Sequence, residues 1–180
     1  MLIDAERSAL LVLDVQTKMV PAIAAHEEFV ANVRWLIEAA RKIGVPVAAT
    51  EQYAKGLGPL IPSVRELMAE GAIAQKKHFS AVAEECLAKL PGLDRPQIVV
   101  IGCEAHVCVL QTSLELMEDG KEVYVVADCV GSRRTTDRDT ALERMRDEGV
   151  RVVTREMVVF EWLAVADTPL FREVNRGLLR

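Results

Sequence analysis

The sequence lacks the features that mark membrane, secreted and nucleic-acid-binding proteins. Its apolar run at residues 10–13 is too short for a transmembrane helix, and it follows acidic Asp4 and Glu6, where a signal peptide has basic residues. Basic residues are not in excess either, since the formal net charge is -5, whereas binding to a phosphate backbone depends on clustered Lys and Arg. We therefore expect a cytoplasmic protein that binds neither membranes nor nucleic acid.

Interdomain linkers and disulfide spacing are also missing. No stretch rich in Pro, Gly or Ser divides the 180 residues, of which 51% are apolar and 27% charged. A chain of this length and composition is typical of one globular domain with its own core. The four cysteines form no CxxC pair, and a domain with a sufficient core does not need disulfides. We predict a single domain over residues 1–180.

Short apolar segments rich in Val and Ile recur along the chain, as they do in buried parallel strands. These segments are residues 9–13, 45–49, 97–101, 122–127 and 151–153. Helical patterns alternate with them, and this alternation predicts an α/β fold. The predicted architecture is a mostly parallel, Rossmann-like sheet of six strands with helices on both faces. Ligands bind such sheets at the carboxyl ends of the strands.

Three helices are predicted from apolar residues at helical spacing. The first covers residues 28–43. The second begins near Cys108 and ends before Gly120, and the third is capped by Thr136 and ends before Gly149.

Two segments lie outside this pattern. Residues 52–62 are rich in Gly and Pro and show no regular periodicity, so we predict a loop that serves as a lid. Residues 168–180 are predicted to form an amphipathic C-terminal tail, suited to pack on a neighbouring subunit of a homo-oligomer.

Asp14 directly follows the first predicted strand, at the edge of the sheet where ligands bind. Considered alone, an Asp at such a position more often caps the following turn. Gln16 places a second polar group on the same side, two residues further on, which favours a functional role. Asp14 is therefore a candidate that needs partners from other strands.

Cys108 lies near the start of the second predicted helix. Backbone N–H groups and the helix dipole favour a thiolate there, so we expect a lowered pKa for this thiol. Free cysteines are more often buried and behave as small apolar residues. We apply that interpretation to Cys86, Cys103 and Cys129, which have no evident activating neighbour in the sequence.

Lys76 and Lys77 follow an apolar segment at residues 71–74, and one of them is expected to end a further strand and to face the site. A cation there would stabilise a Cys108 thiolate and hold the Asp14 carboxylate. Two adjacent lysines are otherwise usually surface charge.

The three histidines favour neither a metal site nor a catalytic base. His106 lies too close to Cys108 in the same turn to act as an in-line base, and we predict a turn or pocket residue. His26 and His78 show no Asp-x-His or His-x-His spacing, so we predict no metal and no other cofactor.

Taken together, these segments resemble the isochorismatase-like cysteine hydrolases over nearly the whole chain. The resemblance is carried by the segments LLVLDVQ, TEQYAKGLG, KKHFSA, GCEAHVCVLQT and VYVVADCVGSR, which are most similar to the group named for its isochorismatase domain. It implies a catalytic triad of Asp14, Lys76 and Cys108. Lys76 is preferred to Lys77 because it lies three residues before Phe79.

The resemblance also implies how the backbone contributes to the site. It places a cis peptide bond between Cys103 and Glu104, and an oxyanion hole at the backbone N–H groups of Glu104 and Cys108. Gln16, Glu51, Tyr53 and His106 flank the triad segments and are candidate substrate-binding residues.

Two departures from better-known relatives narrow the implied activity. Nicotinamidases have an Asp-x-His metal segment after the second strand, whereas this chain has Thr50, Glu51 and Gln52, so nicotinamide is not expected. Isochorismatases that cleave a vinyl ether commonly lack the cysteine that is present here as Cys108. The resemblance therefore favours hydrolysis of the C–N bond of a small-molecule amide through a thioester on Cys108.

Two alternatives to this activity stay open. One is a vinyl-ether hydrolase of the isochorismatase type. The other is a non-catalytic or redox-sensing interaction protein that keeps the same fold and retains the triad segments.

Overall fold

The computed structural model describes residues 1–84 and 86–178, and its core is one parallel sheet. The described residues form six strands in the spatial order β3-β2-β1-β4-β5-β6, and every neighbouring pair is parallel. The strands are β1 Ser8–Leu13, β2 Val47–Gln52, β3 Ile73–Lys76, β4 Gln97–Cys103, β5 Glu122–Gly131 and β6 Arg151–Val153. The predicted single-domain α/β fold with a Rossmann-like sheet is thereby confirmed.

Helices cover both faces of the sheet. They are α1 His26–Ile43, α2 Ala54–Leu57, α3 Pro62–Arg65, α4 Leu110–Glu118, α5 Thr135–Asp147, α6 Arg155–Leu163 and α7 Pro169–Leu178. Side chains alternate along β1, so Leu10 and Val12 pack against α1, α6 and α7, whereas Leu11 and Leu13 pack against α4 and α5. Within the described residues, no helix is long and apolar enough to cross a membrane.

The strand order reverses between β1 and β4. From β1 the chain adds β2 and β3 on one side, and it then returns to the other side of β1 to add β4, β5 and β6. In such sheets a crevice opens at the carboxyl ends of the two central strands, where the connections leave in opposite directions. The residues that follow β1 and β4 therefore lie at the entrance of this crevice.

Gly102 brings the ends of these two central strands together. Its φ is 119°, and a Cβ built on it would lie 2.0 Å from the carbonyl oxygen of Leu13. Only glycine fits a backbone approach of this kind. The close contact sets the residues that follow β1 beside the turn that follows β4.

Several predicted boundaries differ from the structure. The second strand begins at Val47, because α1 closes at Gly44 and Pro46 has no N–H for the sheet, and it continues to Gln52. The predicted cap at Thr136 is wrong, since α5 begins at Thr135 and the N-cap position is Arg134, whose side chain makes no capping bond. A capping bond is worth only about 1 kcal/mol, so a helix that packs on the sheet can begin without one.

The two segments that lacked a periodic pattern are more ordered than predicted. Residues 52–62 contain the end of β2 and the helix α2, and α3 begins at Pro62. The C-terminal tail is the helix α7, which packs on α1 of its own chain through the fully buried Val174. The Trp35 indole N–H also donates to the carbonyl oxygen of Leu178, at 2.7 Å. The apolar face predicted to meet a neighbouring subunit is therefore used within the chain. Residues 179–180 of the predicted tail lie outside the described residues.

Candidate active site

A buried ion pair lies at the carboxyl edge of the sheet. Asp14 follows β1 and Lys76 ends β3, and both side chains are 0% exposed. The Lys76 ammonium donates to Asp14 Oδ2 at 2.7 Å, and the Thr50 hydroxyl donates to Asp14 Oδ1 at 2.7 Å. Burying a charge is costly unless it is paired and hydrogen-bonded, and both conditions are met here.

Lys76 reaches Asp14 across the intervening strand β2. Its ammonium also donates to Gln52 Oε1 at 2.6 Å and to the carbonyl oxygen of Phe79 at 2.9 Å, with the His78 carbonyl oxygen further away at 3.3 Å. An ammonium has three hydrogens, so the three nearest oxygens satisfy it. Lys77 is exposed, so Lys76 is the lysine that faces the site.

Gln52 is held in a fixed orientation. Its Nε2 donates to the carbonyl oxygen of Lys77 at 2.6 Å, which leaves Oε1 to accept from Lys76. Gln52 therefore connects two strands and positions the ammonium.

Cys108 lies in a π-helical turn, Ala105–Val109, which leads into α4. Burial, followed by the negative charge of Asp14, raises the pKa of its thiol to about 12, and the positive charge of Lys76 opposes the shift. The predicted lowering of this pKa is therefore wrong. The partial charge at a helix start is weaker than the combined effects of desolvation and a neighbouring carboxylate. Cys108 is a neutral thiol beside a group that can accept its proton.

The turn after β4 brings a second carboxylate to the site. The peptide bond between Cys103 and Glu104 is cis. Glu104 Oε2 accepts from the backbone N–H of Arg133 at 3.1 Å and from its guanidinium Nε at 3.0 Å. The Glu104 side chain is 12% exposed and that of Arg133 is 64% exposed. Glu104 is therefore the more buried partner of an ion pair whose bonds lie at the protein surface.

The pKa values of the other three cysteines are raised as well. Burial raises the pKa values of Cys103 and Cys129 well above the usual range, and it also raises the pKa of Cys86. Unlike Cys108, none of them lines the cavity described next, which agrees with the structural roles predicted for all three.

A cavity of about 360 Å³ opens beside Cys108. Its walls combine apolar side chains with a few polar groups. They are Lys18, Met19, Ala22, Ile23, Gln52, Leu57, Phe79, Glu104, Val107, Cys108 and Arg133.

Two of the predicted substrate-binding residues hold the backbone instead of lining this cavity. Gln16 is fully buried, and it accepts from the N–H of Gln52 and donates to the carbonyl oxygens of Gln52 and Gly58. Glu51 accepts from the N–H of Leu60 at 2.9 Å and from Arg65 at 2.8 Å. Both side chains therefore attach the segment between β2 and α3 to the sheet.

The other two predicted substrate-binding residues are also absent from the cavity lining. Tyr53 is 54% exposed and lies in a separate surface depression with Lys55. His106 lies in the turn that carries Cys108, and its Nδ1 is 2.9 Å from Ser132 Oγ.

The segment where nicotinamidases hold a metal has other partners here. Thr50 bonds to Asp14, Glu51 bonds to the α3 region and Gln52 bonds to Lys76. In the part of the chain that the structure describes, no group of three or more His, Cys, Asp or Glu side chains is arranged to hold a metal ion.

Sequence reasoning gave no site role of their own to nine of the eleven residues that line the cavity, and three of these show why. Gln52 was considered only as a replacement for a metal ligand, and Phe79 only as a marker for the lysine register. Arg133 carried no signal in its own segment, because its contact with Glu104 joins residues 29 positions apart.

This fold places the protein in the isochorismatase-like class of α/β hydrolases. Residues 8–157 match the model of the Isochorismatase domain, and the chain belongs to that family. It is 40% identical to isochorismatase domain-containing protein 2 of Danio rerio over 173 residues, which are 95% of this chain and 86% of that protein. It is 39% identical to isochorismatase domain-containing protein 1 of Salmo salar, over 90% of this chain and 57% of that protein.

Two solved structures are similar over almost the full length of the chain. The MAR1 ribonuclease from Caenorhabditis elegans is 38% identical, with a TM-score of 0.89, and the match covers 100% of this chain and 93% of that one. YcaC from Pseudomonas aeruginosa, solved with hexane-2,5-diol and covalent acrylamide, is 26% identical with a TM-score of 0.89. That match covers 99% of this chain and 92% of that one.

Proposed function

We propose that this chain hydrolyses the C–N bond of a small-molecule amide through a thioester on Cys108. The observation that carries the proposal is the buried pair of Asp14 and Lys76 beside a thiol that lines a cavity. Perturbed ionisable groups that meet in a cavity are typical of catalytic sites.

In the first half of the reaction, Asp14 accepts the proton of the Cys108 thiol while the sulfur attacks the amide carbonyl carbon. Transfer and attack occur together, because a thiol pKa of about 12 disfavours a free thiolate at neutral pH. Backbone N–H groups of Glu104 and Cys108 stabilise the negative charge on the carbonyl oxygen. Asp14 then donates the proton to the nitrogen, the C–N bond breaks, and the amine leaves an acyl group on sulfur.

In the second half, water hydrolyses the thioester. Asp14 accepts a proton from the water as its oxygen attacks the acyl carbon. The C–S bond then breaks, the carboxylic acid leaves, and the proton returns from Asp14 to the Cys108 sulfur. The cycle consumes one water for each amide.

Lys76 is proposed to hold the Asp14 carboxylate in place. Its ammonium occupies one lone-pair direction of Oδ2 and Thr50 occupies one of Oδ1, and each oxygen has a second direction available for the travelling proton.

The names of two relatives bear on this proposal in different ways. The acrylamide that is covalently attached in YcaC indicates a nucleophile in that protein, and we propose that Cys108 supplies one here. The other relative is called a ribonuclease. A net charge of -5 and a mostly apolar cavity do not favour RNA as a substrate of this chain.

The proposal is tested with a panel of small amides, esters, a vinyl ether and a short RNA. Mass spectrometry of the quenched enzyme should find an acyl group on Cys108 with at least one amide or ester. Cys108→Ala should abolish both the adduct and the turnover. If the parent cleaves the vinyl ether or the RNA, and the Cys108→Ala variant cleaves it equally well, the thioester route is contradicted.

Cys86→Ala is the matched control for the loss of a thiol. It removes a half-buried cysteine outside the cavity, and turnover and acrylamide labelling should persist. If acrylamide labels Cys86 in preference to Cys108, the proposed nucleophile is wrong. Reversible sulfenate at Cys108 without any acyl adduct would indicate a redox sensor instead.

The setting of this reaction is part of the same proposal. We propose a cytoplasmic homo-oligomer that acts on a free small molecule. Light scattering of the purified protein tests the oligomer.

A further inference from the structure

The walls of the cavity indicate which amides fit this site. Six of its eleven lining residues are apolar: Met19, Ala22, Ile23, Leu57, Phe79 and Val107. Burial of a methylene group against such a wall is worth about 0.8 kcal/mol, which corresponds to about fourfold in affinity.

The buried cation of the site is not available to a substrate. Lys76 already donates to Asp14, Gln52 and Phe79, all within 2.9 Å. A substrate carboxylate would have to displace one of these oxygens, and it would approach the charge of Asp14 in doing so. The positive charge of Lys76 and the negative charge of Asp14 therefore offset each other, and the pair does not attract an anionic substrate.

The two cations at the mouth of the cavity are not free to bind an anion. Arg133 and Lys18 are exposed, and each is already bonded, Arg133 to Glu104 and Lys18 to the carbonyl oxygen of Gly56 at 2.8 Å. Water screens both cations. The Glu104 carboxylate is the less exposed partner of its pair, so an anion inside the cavity meets its negative charge with less screening.

We infer, on the basis of the proposed function, that the substrates are uncharged amides with a short apolar acyl group. We further infer that the Glu104 side chain is a specificity determinant, which excludes acyl groups that carry a carboxylate. The apolar wall binds the acyl chain.

The first test compares matched amides on the intact protein. In a series from acetamide to hexanamide, kcat/KM should rise about three- to fourfold for each methylene until the cavity is full. An amide of the same length that ends in a carboxylate should be about 10-fold to 100-fold poorer than its neutral counterpart. Equal or better turnover of the carboxylate would overturn the inference.

The second test changes the proposed determinant without changing its shape. Glu104→Gln removes the charge and releases Arg133, so the preference for the neutral amide should shrink by about tenfold. Glu143→Gln on α5 is the matched control, because Glu143 is exposed and does not line the cavity, and its preference should equal that of the parent. An unchanged preference in Glu104→Gln would overturn the role of this side chain.

A third variant tests the apolar wall. Leu57 is partly buried in α2, and Leu57→Ala should lower kcat/KM for hexanamide while leaving acetamide within about twofold. An equal loss with both substrates would contradict a role of this wall in binding the acyl chain.

Failure of the inference and failure of the proposed function give different results. 2-Bromoalkanamides whose acyl chain ends in a methyl group or in a carboxylate alkylate a thiol without turnover, and mass spectrometry of Cys108 reads the same preference. If no amide is hydrolysed, the proposed function fails and amides are not the substrates, but the labelling ratio still decides whether the cavity excludes groups that carry a carboxylate. If Cys108 forms an acyl adduct but neutral and anionic tails react equally, only the inference fails.

Discussion

The two ends of the central sheet both bury polar side chains, but they use them differently. At the amino ends of the strands, Ser8 and Gln97 are fully buried and uncharged. Gln97 accepts from the N–H of Asp4 at 2.8 Å and donates to the carbonyl oxygen of Leu2 at 3.0 Å, and the Trp162 indole donates to Ser8 at 2.8 Å. These bonds attach the N-terminal segment and α6 to the sheet.

At the carboxyl ends, the buried groups carry full charges. Asp14 and Lys76 are removed from water together, with Cys108 and a cavity beside them. A neutral buried network costs little once its bonds are made, whereas a buried ion pair gains little stability relative to an apolar replacement. The difference teaches that buried polarity alone does not mark a functional site, whereas a buried charge pair beside a thiol that lines a cavity is a candidate for one. Four predictions test this contrast.

The largest expected effect is on activity at the carboxyl end. Cys108→Ala should lower kcat/KM for the best amide of the panel by at least about 10⁴-fold, because the proposed mechanism has no other nucleophile. The midpoint of urea unfolding should change little, since only one sulfur atom is removed. If Cys108→Ala lost much stability but kept its activity, Cys108 would have a structural role and not a catalytic one.

The second prediction concerns the charge pair. Lys76→Met leaves the Asp14 carboxylate buried without its cation and should lower the free energy of unfolding by about 3 to 5 kcal/mol. The double variant Asp14→Asn with Lys76→Met should recover most of this loss while remaining inactive. Urea denaturation measures the stability, and additive losses in the double variant would show that the two groups do not interact.

The third prediction concerns the amino end. Gln97→Leu leaves the N–H of Asp4 and the carbonyl oxygen of Leu2 without their partner, and it should lower the free energy of unfolding by about 1 to 3 kcal/mol. Activity toward the same amide should stay within about twofold. The contrast between the two ends fails if Gln97→Leu strongly lowers kcat while the free energy of unfolding stays unchanged.

The smallest expected effect is a shift in the titration of Cys108. The folded protein keeps this thiol protonated up to about pH 12, whereas the unfolded chain loses the proton near the ordinary value of 9.0, so the contribution to stability falls as the pH rises between these values. Asp14→Asn removes the second cause of the raised pKa, and the pKa of Cys108 should fall.

Ultraviolet absorbance of the thiolate measures this titration, and subtraction of the matching Cys108→Ala protein isolates the one thiol. An unchanged or higher pKa in Asp14→Asn would show that the Asp14 charge does not act on the sulfur. The same variant should have lower amide turnover, because the proposed proton acceptor is lost.

The fold was predictable because its signals are local. Buried strands appear in the sequence as short apolar runs, such as the Leu and Val residues of β1. Helix ends are marked by particular residue types, such as the glycine at Gly44. Resemblance then named Asp14, Lys76 and Cys108, and these residues lie together at the carboxyl edge of the sheet.

What could not be predicted depends on residues far apart in the sequence. The pKa of Cys108 was assigned the wrong direction because a helix start is visible in the sequence, whereas burial and the charge of Asp14 are not. The contact of Glu104 with Arg133 and the packing of α7 on α1 were missed for the same reason.

The sequence by itself determined the class of fold, the alternation of strands and helices, and the residue types available at the sheet's carboxyl edge, since these follow from short-range patterns. Only the tertiary structure decided which of these residues meet. It set Lys76 across β2 against Asp14, turned Glu51 away from the cavity, and left Cys108 as a protonated thiol. Desolvation and charge act through space, so their balance exists only once the chain has folded.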